Sequence, residues 1–287
     1  MPYLYFNIMN GRFAPSPSGH MHIGNASTAL LSWLQIKNIG GKIYLRIEDI
    51  DPERSKKNYV NSIVEDLNAL GLFWDGVVLF QSKRSSAYKL ALDYLIRQNL
   101  IFACSCSKKE IRQTLWSKNA SVNSYSGTCL NKGLSLDGPF TLRLKSWSSY
   151  PILRRYDKAW AYNFSTVIDD EYQNITHIVR GLDLKECAPL QNHFRSLLEY
   201  NSPRIYYAPI WCGPDKNKIS KRHGDISIKD LLRKGWSPKS IIGLIAARLN
   251  LNSDSDACSP DALIDNYASY NWDKKVVSSN EVLSLWL

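Results

Sequence analysis

The sequence predicts an α/β protein built on a parallel sheet, and three observations point there. Strand-like and helix-like stretches alternate through the first hundred or so residues: an apolar opening, a turn, a helical run, a second strand, a loop and a second helix. The two stretches richest in reactive side chains, Pro15–Gly24 and Glu48–Asp51, each follow a strand and precede a helix. They therefore fall on the carboxyl edge of such a sheet, where α/β proteins hold their ligands. The chain has 287 residues, of which 44% are hydrophobic and 22% charged. That is enough to bury a sizeable core and to form two or three subdomains.

The elements follow in chain order. Tyr3 to Ile8 is a short apolar opening strand. Arg12-Phe13-Ala14-Pro15-Ser16-Pro17-Ser18-Gly19-His20-Met21-His22-Ile23-Gly24-Asn25 leaves it as an extended turn, because two prolines fix φ. A helix is expected from about Asn25 to Asn38, stopped at Gly40-Gly41. Lys42 to Glu48 alternates Ile43, Leu45 and Ile47 with polar neighbours, as a strand does. A helix then rises from about Glu53 to Leu70, with Asp51 before Pro52 placed to cap it. Asp75-Gly76 makes a turn, and Ser85 to Gln98 carries Tyr88, Leu92 and Leu95 on one helical face.

From Ile101 to about Arg155 the composition turns polar, rich in Ser and Lys, with weak periodicity. This reads as an insertion. The sheet is expected to resume through Trp160–Ser165, Val167–Asp170 and Thr176–Asp183. A helix over Leu184–Tyr200 and a strand over Ile205–Trp211 follow. Gly213-Pro214-Asp215-Lys216-Asn217 then opens the cation-rich loop Lys218-Ile219-Ser220-Lys221-Arg222. Ser237 to Asn250 is an amphipathic helix in a weakly patterned tail. The division expected is a sheet domain in two halves, 1–100 and 156–222, an inserted subdomain over 101–155 and a C-terminal helical region over 223–287.

Gly19 and Gly24 remove side chains where a ligand could approach the backbone. His22 stands at a helix N-terminus, which favours an anion. A Pro/Ser/Gly cluster alone is commonly a surface loop, and a cation run a solvated one. Here the two occur together, and Lys218–Arg222 supplies the positive charge that a polyphosphate transition state requires. The pair resembles the HIGH and KMSKS signatures of class I aminoacyl-tRNA synthetases, and Arg12 to Ser18 narrows the resemblance to the glutamyl group. The departures are Asn25 where the first signature has a second His, and Ile219 and Arg222 in the second.

That resemblance implies a class I synthetase Rossmann-like parallel sheet, with ATP and Mg²⁺ as substrate. It assigns catalysis to His22, Gly24, Lys218 and Lys221, and ATP binding to His22, Gly24, Asn25 and Lys221. The family motif matches Arg46-Ile47-Glu48-Asp49-Ile50-Asp51, with Glu48 meeting the ammonium of bound L-glutamate. Arg12, Ala14 and Ser16 match the other N-terminal contributors. Tyr162 and Arg180 match the pocket's tyrosine and its carboxylate-binding arginine, although taken singly they read more often as a packed aromatic and a surface charge. A substrate with two carboxylates needs at least two cations. Asp169, Asp170 and Asp183 are expected to order loops or to stabilise the arginine.

The chain has six cysteines, too few for a disulfide scaffold in a chain this long. Cys104, Cys106 and Cys129 offer three soft thiolates suited to zinc, but structural zinc takes four ligands. The residues alone leave a metal site and ordinary reduced thiols both open. Cys-x-Cys followed by Tyr-x-x-x-Cys resembles the zinc subdomain of glutamyl-Q tRNA(Asp) synthetases, which implies one structural Zn²⁺ with Tyr125 as fourth ligand. Cys187, Cys212 and Cys258 have no such spacing and read as packing residues.

A formal charge of +10 points to an acidic partner, nucleic acid first. No signal segment or membrane span is evident, so a cytoplasmic location, no membrane partner and a monomer are expected. The 65 residues after Arg222 suffice for a small helical stem-contact region, whereas a full glutamyl-tRNA synthetase continues into a large anticodon-binding region. The resemblance is therefore to the glutamyl-Q family, whose members activate glutamate with ATP. They transfer it to queuosine at the wobble position of tRNA(Asp). Two rival readings stand beside it: a truncated glutamyl-tRNA synthetase charging the 3′ end of tRNA(Glu), and a non-catalytic tRNA-binding paralogue.

Overall fold

A computed structural model describes residues 9–116, 125–213, 218–219 and 227–278. The apolar opening Tyr3–Ile8 lies outside the described residues. The chain divides into two compact units.

The first unit comprises residues 1–80, 172–188 and 202–287. Its centre is a five-stranded sheet in which every pairing is parallel. The strands are β1 (Asn10–Phe13), β2 (Lys42–Ile47), β3 (Leu79–Phe80), β7 (His177–Gly181) and β8 (Arg204–Ala208), ordered β3-β2-β1-β7-β8. The chain moves to one side after β1 and returns to its other side for β7, so the sheet has its switch point between those two strands. Ligands of open α/β sheets bind at such a point.

The helix α1 (Ile23–Lys37) connects β1 to β2 and is apolar nearly all round, with Ala26, Leu30, Leu31 and Leu34 at zero exposure. Its burial follows from its position: it packs on the strands of the sheet and shares one core with the C-terminal helices. Those are α7 (Ile228–Arg233), α8 (Pro238–Leu249) and α9 (Ile264–Tyr267). Ile241, Ile245 and Leu249 of α8 join the same core as Leu45 of β2. Gly41 permits the tight return into β2, because a Cβ there would lie 2.2 Å from the Met9 carbonyl oxygen. The strand β9 (Ile210–Cys212) leaves the sheet after Pro209 and pairs in parallel with β10 (Val276–Ser278).

The second unit comprises residues 81–171 and 189–201 and contains the whole polar stretch 101–155. That stretch builds its own three-stranded antiparallel sheet from β4 (Ile101–Cys104), β5 (Thr141–Leu144) and β6 (Ile152–Arg154). The helices of this unit are α3 (Ser85–Arg97), α4 (Lys108–Trp116) and nearly all of α5 (Tyr162–Tyr172) and α6 (Ala188–Leu198). Phe164 of α5 and Phe194 of α6 meet edge to face at 5.5 Å.

Two expectations are corrected. Trp160–Asp170 does not return the chain to the sheet: Phe164, Val167 and Ile168 are spaced as one helical stripe and form the buried face of α5. Asp51 does not cap the second helix. That helix, α2, begins later, at Lys57, and runs to Ala69. Asp51 instead closes the preceding turn, its Oδ1 accepting from the Glu53 amide at 3.1 Å. Among the described residues no helix is long and apolar enough to cross a membrane.

Candidate active site and cysteine cluster

The turn after β1 carries the chain to the start of α1. His22 is the N-cap of that helix, with extended backbone, and its Nδ1 accepts the Asn25 amide at 3.3 Å. In return the Asn25 side-chain oxygen accepts the His22 amide at 3.4 Å, a reciprocal capping box. The accepting Nδ1 puts the ring proton of a neutral imidazole on Nε2, leaving His22 a donor on its outer edge. Asn25 thus spends its carbonyl oxygen on His22. At Gly24 a Cβ would lie 3.1 Å from the His22 ring and 3.7 Å from Trp211, so the residue's lack of a side chain leaves room for the imidazole.

Three charged groups predicted for the amino-acid pocket are buried at the carboxyl edge of this sheet. Arg12, on β1, is 4% exposed and donates to the Val179 carbonyl of β7 at 3.2 Å. Arg180, near the end of β7, is 3% exposed, with its guanidinium 5.6 Å from the Tyr207 ring centre on β8. Glu48 follows β2 immediately and is 7% exposed. Its amide donates to the Pro15 carbonyl at 3.0 Å, tying the end of β2 to the proline turn that carries Ala14 and Ser16. Ala14 is half-buried and Ser16 exposed.

Sequence reasoning missed what holds Glu48. Arg46, with zero exposure, donates through Nη2 to Glu48 Oε1 at 3.4 Å and through Nη1 to Gln173 Oε1 at 3.2 Å. The signal was available: Arg46 and Glu48 are two residues apart, and side chains at that spacing share one face of an extended strand. Gln173 carried none, because it lies far away in sequence.

Lys218 is half-exposed and pairs with Asp183 at 2.5 Å. Its backbone bridges Cys212, and the Ile219 amide donates to the Trp211 carbonyl at 2.9 Å, so the entrance to the cation loop is fastened to β9. Lys221 lies outside the described residues. The three aspartates do order structure, two of them through arginines of the second unit and Asp183 through Lys218. Asp170 pairs with Arg195 at 2.9 Å. Asp169, wholly buried, accepts from Gln81 at 2.8 Å, Arg84 at 3.1 Å and Tyr88 at 2.6 Å. Tyr162 is half-buried at the first position of α5, in the second unit.

The cysteines expected to act together do converge. The Sγ atoms of Cys104, Cys106 and Cys129 lie within 4.8 Å of one another. The Tyr125 hydroxyl is 3.3 Å from Cys104 Sγ and 3.5 Å from Cys106 Sγ. Four donors on ~2.3 Å tetrahedral arms stand about 3.8 Å apart, so the donor set fits a zinc-sized ion. Cys104, Tyr125 and Cys129 are buried, and Phe102 stacks on Tyr125 at 6.4 Å. Burial, with the neighbouring thiols, pushes the Tyr125 phenol upward and takes Cys106 to about 11. Burial opposes the Cys129 thiolate too, but hydrogen bonds from Tyr125, Ser105 and Cys106 bring it down to about 6. The pocket thus favours one anion by itself, and a cation would favour the others. Cys187, Cys212 and Cys258 are half-buried and stand outside this group.

A parallel sheet, a histidine-capped first helix and the buried charges Arg12, Glu48 and Arg180 thus stand together in the first unit. Residues 9–153 and 147–284 match the family model of tRNA synthetases class I (E and Q), catalytic domain, and the chain belongs to that family. It is 37% identical to a glutamyl-Q tRNA(Asp) synthetase of a Synechococcus species, across 89% of this chain and 88% of that one. It is also 33% identical to a glutamate–tRNA ligase of Oleidesulfovibrio alaskensis, across 96% of this chain but only 64% of the ligase. In fold it is similar to a glutamate tRNA ligase of Elizabethkingia meningosepticum crystallised with its amino acid. The TM-score is 0.79 at 20% identity, over 94% of this chain and 67% of that one.

Proposed function

We propose that the protein activates L-glutamate with ATP and Mg²⁺ to glutamyl-adenylate and transfers the glutamyl group to queuosine at the wobble position of tRNA(Asp). The observation that carries the first half is the set Arg12, Glu48 and Arg180, three buried charges on neighbouring strands at the switch point. Two arginines answer two carboxylates and one carboxylate answers an ammonium, which is the charge pattern of free glutamate. Ala14 and Ser16 lie on the turn whose Pro15 carbonyl accepts the Glu48 amide.

In the first step a glutamate carboxylate attacks the α-phosphate of ATP in line, and pyrophosphate leaves. His22 donates through Nε2–H to the phosphate oxygens beside Gly24 and Asn25, while Lys218 and Lys221 offset the developing negative charge. No protein nucleophile is needed. In the second step a cyclopentenediol hydroxyl of queuosine attacks the mixed anhydride, forming an ester and releasing AMP. The Cys104, Cys106, Tyr125 and Cys129 donor set would hold one structural zinc, which cross-links β4 to the loop before β5. It also supports the queuosine reading over its rival, because the Cys-x-Cys and Tyr-x-x-x-Cys spacing is the glutamyl-Q pattern. The rival, a glutamyl-tRNA synthetase charging the 3′ end of tRNA(Glu), is favoured by the 33% identity to a glutamate–tRNA ligase.

Labelled glutamate offered with three tRNAs separates these readings: tRNA(Asp) carrying queuosine, tRNA(Asp) with plain guanosine, and tRNA(Glu). Labelling of the queuosine form alone is the expected result, and labelling of tRNA(Glu) would replace it with the rival. No labelling, together with no glutamate-dependent ATP–pyrophosphate exchange, would leave a non-catalytic tRNA-binding protein.

A further inference from the structure

The histidine turn of the candidate ATP site is fastened to a residue that neither signature contains. His22 forms an isolated antiparallel bridge with Ser227, and the Ile228 amide donates to the Met21 carbonyl at 2.8 Å. Ser227 is 4% exposed and is the N-cap of α7. Its Oγ accepts the Asp230 amide at 3.1 Å and donates to Asp230 Oδ2 at 2.6 Å. Asp230 Oδ2 in turn accepts the Ser227 amide at 3.4 Å, closing the box.

The other flank of the histidine turn is held separately. His20 Nδ1 lies 2.8 Å from Ser62 Oγ on α2, with its ring edge-on to Tyr59 at 5.1 Å. Met21, between His20 and His22, is 2% exposed. The three-residue turn His20–His22 is thus gripped from α2 at its start and from Ser227 at its end. His22 itself must keep its imidazole aimed while its Nδ1 holds the Asn25 amide. A backbone clamp on His22 does that without touching the ring.

We infer that the Ser227–Asp230 capping box is a positioning pair for His22: by fixing residue 227 it fixes the backbone of the histidine that meets the triphosphate. The inference rests on the proposed adenylate-forming activity for its kinetic consequence, but not for its structural one. The molecule supplies its own control. Ser237 caps α8 by the same chemistry, its Oγ accepting the Ser240 amide at 3.0 Å, with no bridge to His22. Deleting either hydroxyl removes one helix cap, and only one of the two deletions should reach the imidazole.

The test compares Ser227→Ala with Ser237→Ala, Ser227→Thr and Asp230→Asn in the full chain. The first readout is the NMR signal of the His22 ring, assigned by its loss in His22→Gln, with no substrate present. Ser227→Ala and Asp230→Asn should move it, and Ser237→Ala and Ser227→Thr should not. The second is glutamate-dependent ATP–pyrophosphate exchange. Here Ser227→Ala should lower kcat roughly tenfold or more while the KM for glutamate stays within about twofold. Ser227→Thr, which keeps the hydroxyl, should recover it. An unmoved His22 signal in both Ser227→Ala and Asp230→Asn would overturn the inference, as would equal kcat losses in Ser227→Ala and Ser237→Ala. A moved His22 signal in a chain whose wild type shows no exchange would uphold the positioning pair and overturn the activity instead.

Discussion

The charged edge of the parallel sheet and the cysteine cluster are built by opposite means. At the sheet edge Arg12, Glu48 and Arg180 come from positions far apart in the chain, and strand register alone makes them neighbours: Arg12 pairs with Ile178, two residues before Arg180. Each charge there already touches protein, Arg12 on the Val179 carbonyl, Glu48 on Arg46 and Arg180 near Tyr207. The cluster gathers four donors from one short stretch around a single tyrosine hydroxyl, which also accepts the Cys129 amide at 2.9 Å. The first site is preorganised by a fold that would exist without it. The second is a set of acidic groups held close together, and a cation is what would make their closeness favourable.

That contrast predicts the largest effect at the cluster. Cys104→Ser or Cys129→Ser should reduce bound zinc from one per chain to none by elemental analysis, and should lower the melting temperature by roughly 5–10 °C. Hydrogen exchange would show where the loss falls: the amides of β4 and β5 should lose protection while those of β1 and β2 keep it. Uniform loss across both sheets would break the comparison.

At the sheet edge the expected loss is functional rather than structural. Arg180→Ala should lower kcat/KM for glutamate in pyrophosphate exchange by roughly a hundredfold, through loss of a charge-assisted carboxylate contact. Its melting temperature should move little compared with the cysteine variants. Gln173→Ala sharpens the point with a smaller effect. It removes the acceptor at 3.2 Å from Arg46 without touching Glu48, and should raise the KM for glutamate by about five- to tenfold. An unchanged KM would mean that Arg46 needs no second anchor.

How much of each region could be read beforehand follows from the same difference. The cluster's ligands were readable from spacing, because Cys-x-Cys and Tyr-x-x-x-Cys are local patterns. Strand β2 was readable from the alternation of Ile43, Leu45 and Ile47, and the end of α1 from the Gly40-Gly41 stop, whereas β1 (Asn10–Phe13) lies where the chain was expected to be turning out of its strand already. Register was not readable, so Gln173 behind Arg46 and the Ser227 clamp stayed hidden: each joins residues that only the topology brings together. Trp160–Asp170 was misread because a short apolar run in isolation fits a strand as well as a helix. The Asp51 cap was misplaced because Pro52 reads equally as the first residue of a helix and the second of a turn.

A further effect concerns a group that belongs to neither site. Asp66 on α2 is 3% exposed, hydrogen-bonded to Ser62, and among the described residues its Oδ2 has no hydrogen-bond partner. Burial, with help from Glu65 and Asp230 and against the pull of Lys229, pushes its carboxyl up to about 7. In the unfolded chain the same group ionises near 4. Below that pH both states hold the proton and Asp66 costs nothing. As the pH rises toward 7 the unfolded state alone gains the ionised form, so stability falls, and above 7 the full penalty applies. Asp66→Asn should therefore match wild type in melting temperature near pH 4 and exceed it at pH 8, where the penalty removed is a few kcal/mol, up to about 4. A lead that stays constant from pH 4 to 8 would mean that Asp66 is ionised in the folded protein throughout, with Lys229 rather than burial setting its charge.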